Sequence, residues 1–423
     1  MKDNYDINNY TYDMDRCIGC KGCVWVDHVY MSGVRYGVKC PSNAYKLFDG
    51  YAPMGRLKIG KALMEGTIDY TPEYLDIMYM CQQCGACDVG CKRNLDLEPF
   101  TVLESLRVKA VKDGQGPMPA HKTVAQNIAD KGNRYGASED RLGWITDDIS
   151  VGDKADMVYF PGCSASYVEK GIAQATGKIL NKAGINFMTM GDNDSCCGHP
   201  VATCGMLDEA KAIARKNIDN LKATGAKILV TSCAECYNTW KVIYPKMLSK
   251  NTSDMGYEVV HLVELISRLV NEGKFEFSKP INMRATYHDP CRLARQGEPW
   301  VEWEGTRGKY GILEPKKEYR RGTFGCYQPP RDILNNIPGL DMVEMPRMKE
   351  NAFCCGAGGG VMDAYPDFAK WAAKERLTEV QSVAAEAVIS ACPYCKKVFN
   401  EASKENNMNI KVYDITEIIL ACM

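Results

Sequence analysis

Cysteines recur in one pattern twice along the last two-thirds of the chain: a single Cys, an adjacent Cys-Cys-Gly, and a CxxC pair. Neighbouring side chains diverge, so two adjacent thiolates do not readily serve one tetrahedral metal ion. Together with a distant Cys and a CxxC pair, they can instead surround a larger cluster of several iron atoms. The sequence therefore predicts two sites of five thiolates each. The first copy contains Cys163, Cys196, Cys197, Cys233 and Cys236, and the second contains Cys291, Cys354, Cys355, Cys392 and Cys395.

Two CxxCxxC motifs lie in the first quarter of the chain. This spacing wraps a loop over three corners of a cubane [4Fe-4S] cluster, whereas zinc sites use CxxC pairs, so zinc is the weaker interpretation. Cys91 follows the second motif as in bacterial ferredoxins, where the fourth Cys ligates the other cluster. Two interleaved cubane sites are therefore expected. Their predicted ligands are Cys17, Cys20, Cys23 and Cys91 for one cluster, and Cys40, Cys81, Cys84 and Cys87 for the other.

The first CxxCxxC motif lacks a fourth Cys at the usual distance. Asp27 stands there, followed by His28 instead of Pro. Sixteen residues separate Cys23 from Cys40-Pro41, which is interpreted as the displaced ligand, carried outward by an insertion over 27–39. Asp27 is the alternative metal ligand, and a surface carboxylate is its ordinary interpretation.

Composition limits the class of protein. The 423 residues, 45% of them apolar, suffice for two or three domains, and a net charge of -1 argues against a nucleic-acid groove or a polybasic membrane face. The polar N-terminus does not resemble a secretory signal, so 21 cysteines favour metal ligation in the cytosol over a disulfide framework. No apolar run approaches the roughly 18 residues that cross a bilayer, which leaves membrane attachment to another subunit.

Hydrophobic periodicity predicts an α+β chain with α/β domains. Residues 1–112 have helical patterns between their cysteines, and 113–155 are a Gly- and Pro-rich linker with one weak helix and a solvent-facing His121. Residues 156–275 and 276–423 each alternate short β-rich runs with helices, which indicates small open layers of mainly parallel strands. The match between 258–266 and 411–419 extends the repeat past the cysteines and favours two similar domains.

Four of the cysteines follow predicted strands. Ligands of open α/β sheets gather at the carboxyl ends of the strands, so these thiolates are expected at one edge of each sheet. Gly198, Gly356 and 358–360 remove side chains where backbone passes close to a bulky cluster. The Gly-rich run could also be a nucleotide loop, but it lacks the dinucleotide fingerprint and its downstream acidic residue.

These residues resemble the cysteine-rich CCG domains of heterodisulfide reductase, and the whole chain resembles the D subunit of that enzyme, equivalent to its C and B subunits fused. The resemblance implies an N-terminal helical two-cluster ferredoxin domain followed by two tandem, pseudo-twofold-related CCG domains. Each CCG motif would bind a non-cubane [4Fe-4S] cluster, and the two clusters would face one another where a disulfide is split. The implied partners are other redox subunits: a flavoprotein, a ferredoxin or a membrane cytochrome.

The second copy departs from the first in one place. Cys291 and Cys354 are separated by 62 residues, against 32 between Cys163 and Cys196. The excess lies around 296–321 and carries both aromatic and charged residues. It is either a mobile surface excursion or a partner-docking element, and its tryptophans favour docking. Its aromatic residues are Trp300, Trp303, Tyr310 and Tyr319.

Other candidate residues are less specific. His199 and His288, beside the predicted ligands, could donate protons or hydrogen bonds to a cluster or a leaving thiolate, although a satisfied structural histidine is the favoured interpretation of each. His261 is assigned to the repeated fold. Three cysteines lie outside the motifs and are expected to be small buried side chains. They are Cys204, Cys326 and Cys422.

Three functions fit this pattern. The favoured one is an iron-sulfur electron-transfer subunit of an anaerobic multi-subunit oxidoreductase. CCG proteins also resemble subunits of assemblies around dissimilatory sulfite reduction, class II benzoyl-CoA reductase and electron-transferring flavoproteins, and the departures at Asp27 and in the long insertion move this chain toward that group. The alternative is a catalytic heterodisulfide reductase subunit that gives one electron to each sulfur of a disulfide. A cluster-containing scaffold or regulator is the third, and no recognition helix or basic patch supports it.

Overall fold

The computed structural model describes residues 3–26, 31, 33–308, 311–318 and 320–423. Its N-terminal part is helical, as the sequence predicts. Several helices begin with Pro, whose fixed φ suits the first turn, and the Thr71 hydroxyl caps one by accepting from the Tyr74 N–H at 3.1 Å. The helices are α1 (Thr11–Arg16), α2 (Pro41–Lys46), α3 (Pro53–Met64), α4 (Pro72–Tyr79), α5 (Ala86–Asn94) and α6 (Pro99–Lys112).

The ferredoxin domain has its own apolar core. Leu57, Tyr79, Val102 and Leu106 are buried in it together with several of the motif cysteines. Gly60 allows α3 to approach α6 closely, since a Cβ there would lie 2.5 Å from Leu106 Cδ1. This packing fixes the loops that carry the cysteines.

The linker contains one helix, α7 (Pro119–Lys131), that lies against both CCG domains. The prediction that His121 faces solvent is wrong: its side chain is buried, and its Nε2 hydrogen-bonds the Gly360 carbonyl at 2.9 Å. Burial lowers the pKa of His121 to about 4. Beyond α7, Arg134 pairs with Asp363 at 2.6 Å and the Tyr135 hydroxyl contacts Ser164. The linker therefore holds the two CCG domains together.

The first CCG domain is built on a three-stranded parallel sheet in the order β1-β2-β3. The strand expected over 185–190 is reduced to one parallel bridge between Met188 and Val158. The strands are β1 (Met157–Tyr159), β2 (Ile228–Thr231) and β3 (Glu258–His261). The helices are α8 (Gly162–Tyr167), α9 (Lys170–Lys182), α10 (His199–Thr203), α11 (Leu207–Thr224), α12 (Ala234–Asn238), a π-helical turn (Thr239–Ile243), α13 (Tyr244–Met247) and α14 (Leu262–Asn271).

The second CCG domain has a four-stranded parallel sheet in the order β7-β4-β8-β9 and a separate two-stranded hairpin, β5-β6. The strands are β4 (Met283–His288), β5 (Thr306–Arg307), β6 (Leu313–Glu314), β7 (Leu340–Val343), β8 (Ala387–Ser390) and β9 (Lys411–Asp414). The helices are α15 (Gln328–Asn335), α16 (Val361–Ala364), α17 (Pro366–Ser382), α18 (Pro393–Glu405) and α19 (Ile415–Cys422).

The two sheets correspond strand for strand. β1, β2 and β3 match β4, β8 and β9, and the Met188 bridge takes the place of β7. The last strand of each domain leads into a helix with a capping box, His261 with Glu264 and Asp414 with Glu417. The assignment of His261 to the repeated fold is therefore confirmed. Among the described residues, no helix has the length and apolarity needed to cross a bilayer.

The insertion over 296–321 lies against the chain's own ferredoxin domain. Lys317 pairs with Glu98, and the Asn4 amide donates to Glu302 at 2.7 Å. Trp300 is half-buried, and its backbone N–H donates to the Thr252 hydroxyl at 2.7 Å. The aromatic and charged residues of the insertion, which favoured docking of an external partner, thus make contacts within the chain. Tyr310 and Tyr319 lie outside the described residues.

Candidate functional site

Four cysteines of the ferredoxin domain border a cavity of about 20 Å³. Cys17 and Cys23 follow α1, Cys91 lies in α5, and all three are buried, whereas Cys20 is exposed. Burial raises the pKa of Cys91 to about 12, and the neighbouring Asp88, Cys23 and Cys17 act in the same direction. These four cysteines, the predicted ligands of one cubane, are called the outer set below.

Cys40, Cys81, Cys84 and Cys87, called the inner set, lie deeper in the same domain. Cys40 directly precedes α2 and lies near Cys81; Cys87 lies near Cys84 and Cys81. Burial raises the pKa of both Cys40 and Cys87. The structure thus brings Cys40 to the second CxxCxxC motif, as the displaced-ligand hypothesis expects. The two sets adjoin at Cys23, which lies near Cys40 and Cys87.

The alternative ligand Asp27 and its neighbour His28 lie outside the described residues. The choice between Asp27 and Cys40 as the fourth ligand therefore rests on the position of Cys40 alone.

The first CCG set is a continuous series of thiol contacts at the carboxyl end of its sheet. Cys163 contacts Cys196, and Cys197 accepts hydrogen bonds from Cys196 and from Cys236, whose sulfur is 3.7 Å away. Cys236 also contacts Cys233. The two hydrogen bonds hold the pKa of Cys197 well below its usual value. The thiolate is the form that ligates metals, and within this set Cys197 is the member held towards that form, whereas burial and the neighbouring thiols raise the pKa of the other four.

The second CCG set repeats this arrangement. Cys291 contacts Cys354, and Cys355 accepts from Cys354 and from Cys395, whose sulfur is 3.2 Å away. These bonds hold the pKa of Cys355 well below its usual value, as in Cys197. Cys392 contacts Cys395 and completes the set. In both domains, the second residue of the Cys-Cys pair is the central acceptor.

Two thiol contacts join cysteines of different sets. Cys84 of the inner set packs against Cys354 of the second CCG set in one buried cluster. Cys233 of the first CCG set contacts Cys392 of the second. The second CCG set therefore lies between the ferredoxin domain and the first CCG set.

His199 and Glu235 form a buried contact beside the first CCG set. The Thr239 hydroxyl donates to the Glu235 carbonyl, so its oxygen accepts from His199 Nδ1 at 3.1 Å. His199 Nε2 then faces the Glu235 carboxyl oxygen at 3.7 Å. Burial lowers the pKa of His199 and raises that of Glu235, which disfavours the charged form of both groups.

Sequence reasoning missed Glu235. It stands inside the CxxC pair of the first copy, where the second copy has Pro393-Tyr394, and Cys392 and Cys291 both act on its carboxyl group. A carboxyl residue between two predicted metal ligands, absent from the other copy, was the signal that could have identified it.

His288 lies beside the second CCG set, as His199 lies beside the first. The Arg376 Nε–H donates to its Nδ1 at 3.2 Å, which leaves the ring proton on Nε2. Its ring lies with the Cys355 and Cys395 sulfurs in a group whose ligand atoms are all within 4.8 Å of one another. His288 also lowers the pKa of Cys355. The histidine can therefore donate a hydrogen bond into this set.

A cavity of about 310 Å³ opens between the ferredoxin domain, the first CCG domain and the insertion. Arg292, next to Cys291, is buried in its wall; Nη1 donates to Asn238, while Nε and Nη2 have no partner among the described residues. These two N–H groups form one edge of the guanidinium, the edge that binds a carboxylate or phosphate with two hydrogen bonds. The described residues therefore leave an anion-binding edge of this guanidinium unused in the buried wall of the cavity.

The three remaining cysteines are buried, as the sequence predicts. Cys204, Cys326 and Cys422 are buried and stand apart from the CxxCxxC and CCG motifs.

Comparison with known families agrees with this arrangement. Residues 13–95 match the 4Fe-4S dicluster domain, and residues 157–241 and 317–400 match CCG, the cysteine-rich domain. The second CCG match begins after Cys291, because the insertion separates that residue from the rest of the motif. The fold and its thiol sets define an iron-sulfur electron-transfer protein with a dicluster domain and two cysteine-rich domains.

The chain belongs to the family of heterodisulfide reductase D subunits. It is 32% identical to the D subunit of the dihydromethanophenazine:CoB--CoM heterodisulfide reductase of Methanosarcina barkeri, over 96% of this chain and 93% of that protein. It is 29% identical to the B subunit of the fumarate reductase (CoM/CoB) of Methanothermobacter marburgensis, over 81% of this chain and 61% of the relative. The EtfAB:quinone oxidoreductase of Syntrophomonas wolfei is 27% identical, over 97% of this chain and 58% of its own length.

The residues present fit iron-sulfur clusters. Each CCG set offers five thiols joined in a series of contacts, the donor type that such clusters require. Gly162 makes room beside the first set: its φ of 73° lies in the left-handed region, and a Cβ there would lie 2.5 Å from the Cys236 sulfur. The absence of that side chain leaves space around the sulfurs.

Proposed function

We propose that this chain is the electron-conducting subunit of an anaerobic multi-subunit oxidoreductase and that it holds four [4Fe-4S] clusters. In this assignment the outer and inner sets each hold a cubane cluster, and each CCG set holds a non-cubane cluster. When bound, such clusters accept and donate single electrons. Everything else required of the chain is to keep the ligand sets close together and to expose one of them to a donor.

The observation that carries the proposal is the contact between successive sets. The outer and inner sets adjoin at Cys23, Cys84 contacts Cys354, and Cys233 contacts Cys392. The sets therefore lie in the order outer, inner, second CCG, first CCG. Such a series is what a conductor of single electrons requires, and a set of unrelated structural metal sites would not need it.

The outer set supplies the place where a donor protein would bind. Cys20 is exposed, and the neighbouring Ile18 is 73% exposed. Leu47 and Phe48 on the same domain are 86% and 61% exposed. Exposed apolar residues beside a ligand set favour docking of a redox partner. A flavoprotein, a ferredoxin or a membrane cytochrome would fill this role.

The metal content tests the proposal. Protein purified without oxygen should contain about sixteen irons and as many labile sulfides, extrapolating from one [4Fe-4S] unit per set. Electron paramagnetic resonance should resolve cubane and non-cubane signals. Zinc in place of iron, or cystines that bridge the CCG sets, would overturn the assignment.

A second candidate, reduction of a small disulfide at the CCG sets, is favoured by the 310 Å³ cavity and the free guanidinium edge of Arg292 beside Cys291. Arg292 would hold an anionic group of the acceptor, and the neutral Glu235 and His199 could supply a proton to a released thiolate. In this alternative the fully loaded protein reduces a carboxylate-bearing disulfide with a strong one-electron donor, and Arg292→Gln raises KM more than it lowers kcat. Absence of any turnover would exclude the catalytic alternative and leave the conductor.

A further inference from the structure

Three buried arginines surround the inner set. The Arg56 guanidinium donates to the Met80 carbonyl at 2.8 Å, and that of Arg107 donates to the Cys81 carbonyl at 2.7 Å. Arg295 donates to the Cys84 carbonyl at 2.7 Å. Each side chain is at most 5% exposed. Three permanent positive charges therefore lie along the loop that carries Cys81 and Cys84.

Main-chain carbonyls satisfy these guanidiniums almost entirely. Arg107 also donates to carbonyls of Met78, Tyr79, Thr203 and Gly359 and so links the ferredoxin domain to both CCG domains. Arg56 donates to the Ser42 hydroxyl, which lies 3.6 Å from the Cys40 sulfur. Carbonyl groups provide hydrogen bonds, but they do not neutralise a net charge.

Four other buried arginines in the described part of the chain are neutralised by acids. Arg134 pairs with Asp363, Arg331 with Asp289, and Arg347 and Arg376 share Glu379. Arg56, Arg107 and Arg295 have no carboxylate partner within the ranges that the structure describes. Arg292, beside Cys291, is a fourth such case, but it lines the cavity rather than the inner set.

A buried charge without a counter-ion is strongly unfavourable. The group proposed for the inner set would provide the missing negative charge, because thiolate-ligated clusters are anionic and net charge helps to set their potential. One electron adds one more negative charge to that group. The three guanidiniums therefore favour its reduced form.

The outer set has a different environment. The cation in the wall of its cavity, Lys21, has a side chain 48% exposed and pairs with Asp49 at 2.9 Å. Asp88 acts on Cys91 from within the domain. Lys39 is buried and acts on Cys23 of the outer set. Three buried guanidiniums thus lie at the inner set, against one buried ammonium that acts on Cys23 of the outer set.

We infer that Arg56, Arg107 and Arg295 raise the reduction potential at the inner set above that at the outer set, so that an electron received outside settles next to the second CCG domain. This inference rests on the proposed assignment of one cubane to each set. The step is a one-electron transfer in which the outer centre is oxidised and the inner centre reduced; no bond changes and no proton moves. The electron comes from the external one-electron donor named above.

The test is a potentiometric titration of the full, iron-loaded chain, followed by electron paramagnetic resonance. Cys20→Ser, which alters only the exposed outer set, identifies which cubane signal belongs to it. In the unmodified chain, the signal that Cys20→Ser leaves unchanged should have the higher potential. If it has the lower potential while iron and sulfide are complete, the inference is wrong. An incomplete metal content in the unmodified chain would instead contradict the proposed function.

Charge variants sharpen the test. Arg107→Gln should make reduction at the inner set at least tenfold less favourable, about 59 mV for one electron, while Arg107→Lys keeps the charge and should retain most of the potential. Lys21→Gln is the matched control at the outer set and should shift either potential much less, because its charge is exposed and screened. If Arg107→Gln fails to fold, Arg295→Gln carries the same expectation. An unchanged inner potential in a loaded neutral variant would overturn the inference.

Discussion

Cys163 in the first CCG domain and Cys291 in the second follow equivalent strands, yet they meet different neighbours. Arg141 from the linker approaches the Cys163 sulfur at 3.8 Å and pairs with the buried Asp194. Beside Cys291 lie Arg295 and the inner set of the ferredoxin domain. The duplicated sheets thus place the sulfurs, and the unduplicated segments give each set its own surroundings. A repeated site can acquire two roles in this way, one facing the donor domain and one at the end of the series.

The largest expected effect comes from removing the central thiol of each CCG set. Cys197→Ala and Cys355→Ala should each lose about four of sixteen irons, one [4Fe-4S] unit, because each removes the acceptor of two thiol hydrogen bonds. Only Cys355→Ala should also change the signal of the inner cubane, since Cys354 contacts Cys84. Iron analysis and electron paramagnetic resonance measure both effects. If Cys197→Ala and Cys355→Ala changed the inner cubane signal equally, the second CCG set would not be the one that adjoins the ferredoxin domain.

Arg141→Gln tests the surroundings of the first CCG domain. It leaves the buried Asp194 carboxyl without its partner at 3.0 Å, and breaking a buried pair in this way typically costs about 3–5 kcal/mol. The thermal midpoint should fall, and the double change Arg141→Gln with Asp194→Asn should recover part of the loss. A double variant no more stable than the single one would show that the ion pair is not the cause.

The repeated helix caps should respond to pH in opposite directions. Burial raises the pKa of Asp414 to about 7, above its unfolded value of 3.8, so its stabilising contribution is lost as pH rises from about 4 to 7. Burial lowers the pKa of His261 to about 3, below its unfolded value of 6.5, so its contribution is lost as pH falls from about 6.5 to 3.

Thermal midpoints between pH 4 and 8 measure these contributions. Asp414→Asn keeps a capping side chain but does not titrate, so it should reduce the loss of stability at rising pH. His261→Asn should reduce the loss at falling pH. If both variants flatten the same side of the profile, the opposite signs are wrong.

The smallest effect is expected at the surface between the ferredoxin domain and the second CCG domain. Arg35 forms two hydrogen bonds with Glu375, at 2.7 and 2.9 Å, but its side chain is 59% exposed. Exposed pairs typically contribute about 0.2–1 kcal/mol. Arg35→Ala should therefore shift the thermal midpoint only slightly and leave the iron content unchanged. A large loss of iron would show that this contact positions the inner set.

Much of the fold and of the sulfur arrangement could be predicted from the sequence. Motif spacing grouped the cysteines, and the structure places Cys40 near enough to Cys81 for the two thiols to interact electrostatically. Short β-rich runs such as 387–390 located the parallel strands, because strands buried on both faces give largely apolar segments. The strand over 185–190 was overestimated, since only Met188 pairs with its neighbour.

Features that depend on packing between distant segments were not predictable. Nothing in the sequence near Arg107 shows that its guanidinium is buried among carbonyls from three domains. His121 lies in a polar, Gly-rich context that suggests exposure, yet α7 packs it against Gly360. The insertion has the composition of a docking surface and docks within the chain. In each case the deciding partner lies more than 200 residues away in the sequence.

The central claim is that four iron-sulfur sites lie in series, with the second CCG site between the inner cubane and the first CCG site. Magnetic coupling between paramagnetic centres in the partly reduced, fully loaded chain tests it most directly. The account predicts that the second CCG centre couples both to the inner cubane and to the first CCG centre. Four signals without mutual coupling, or coupling of the first CCG centre to the cubane alone, would contradict it.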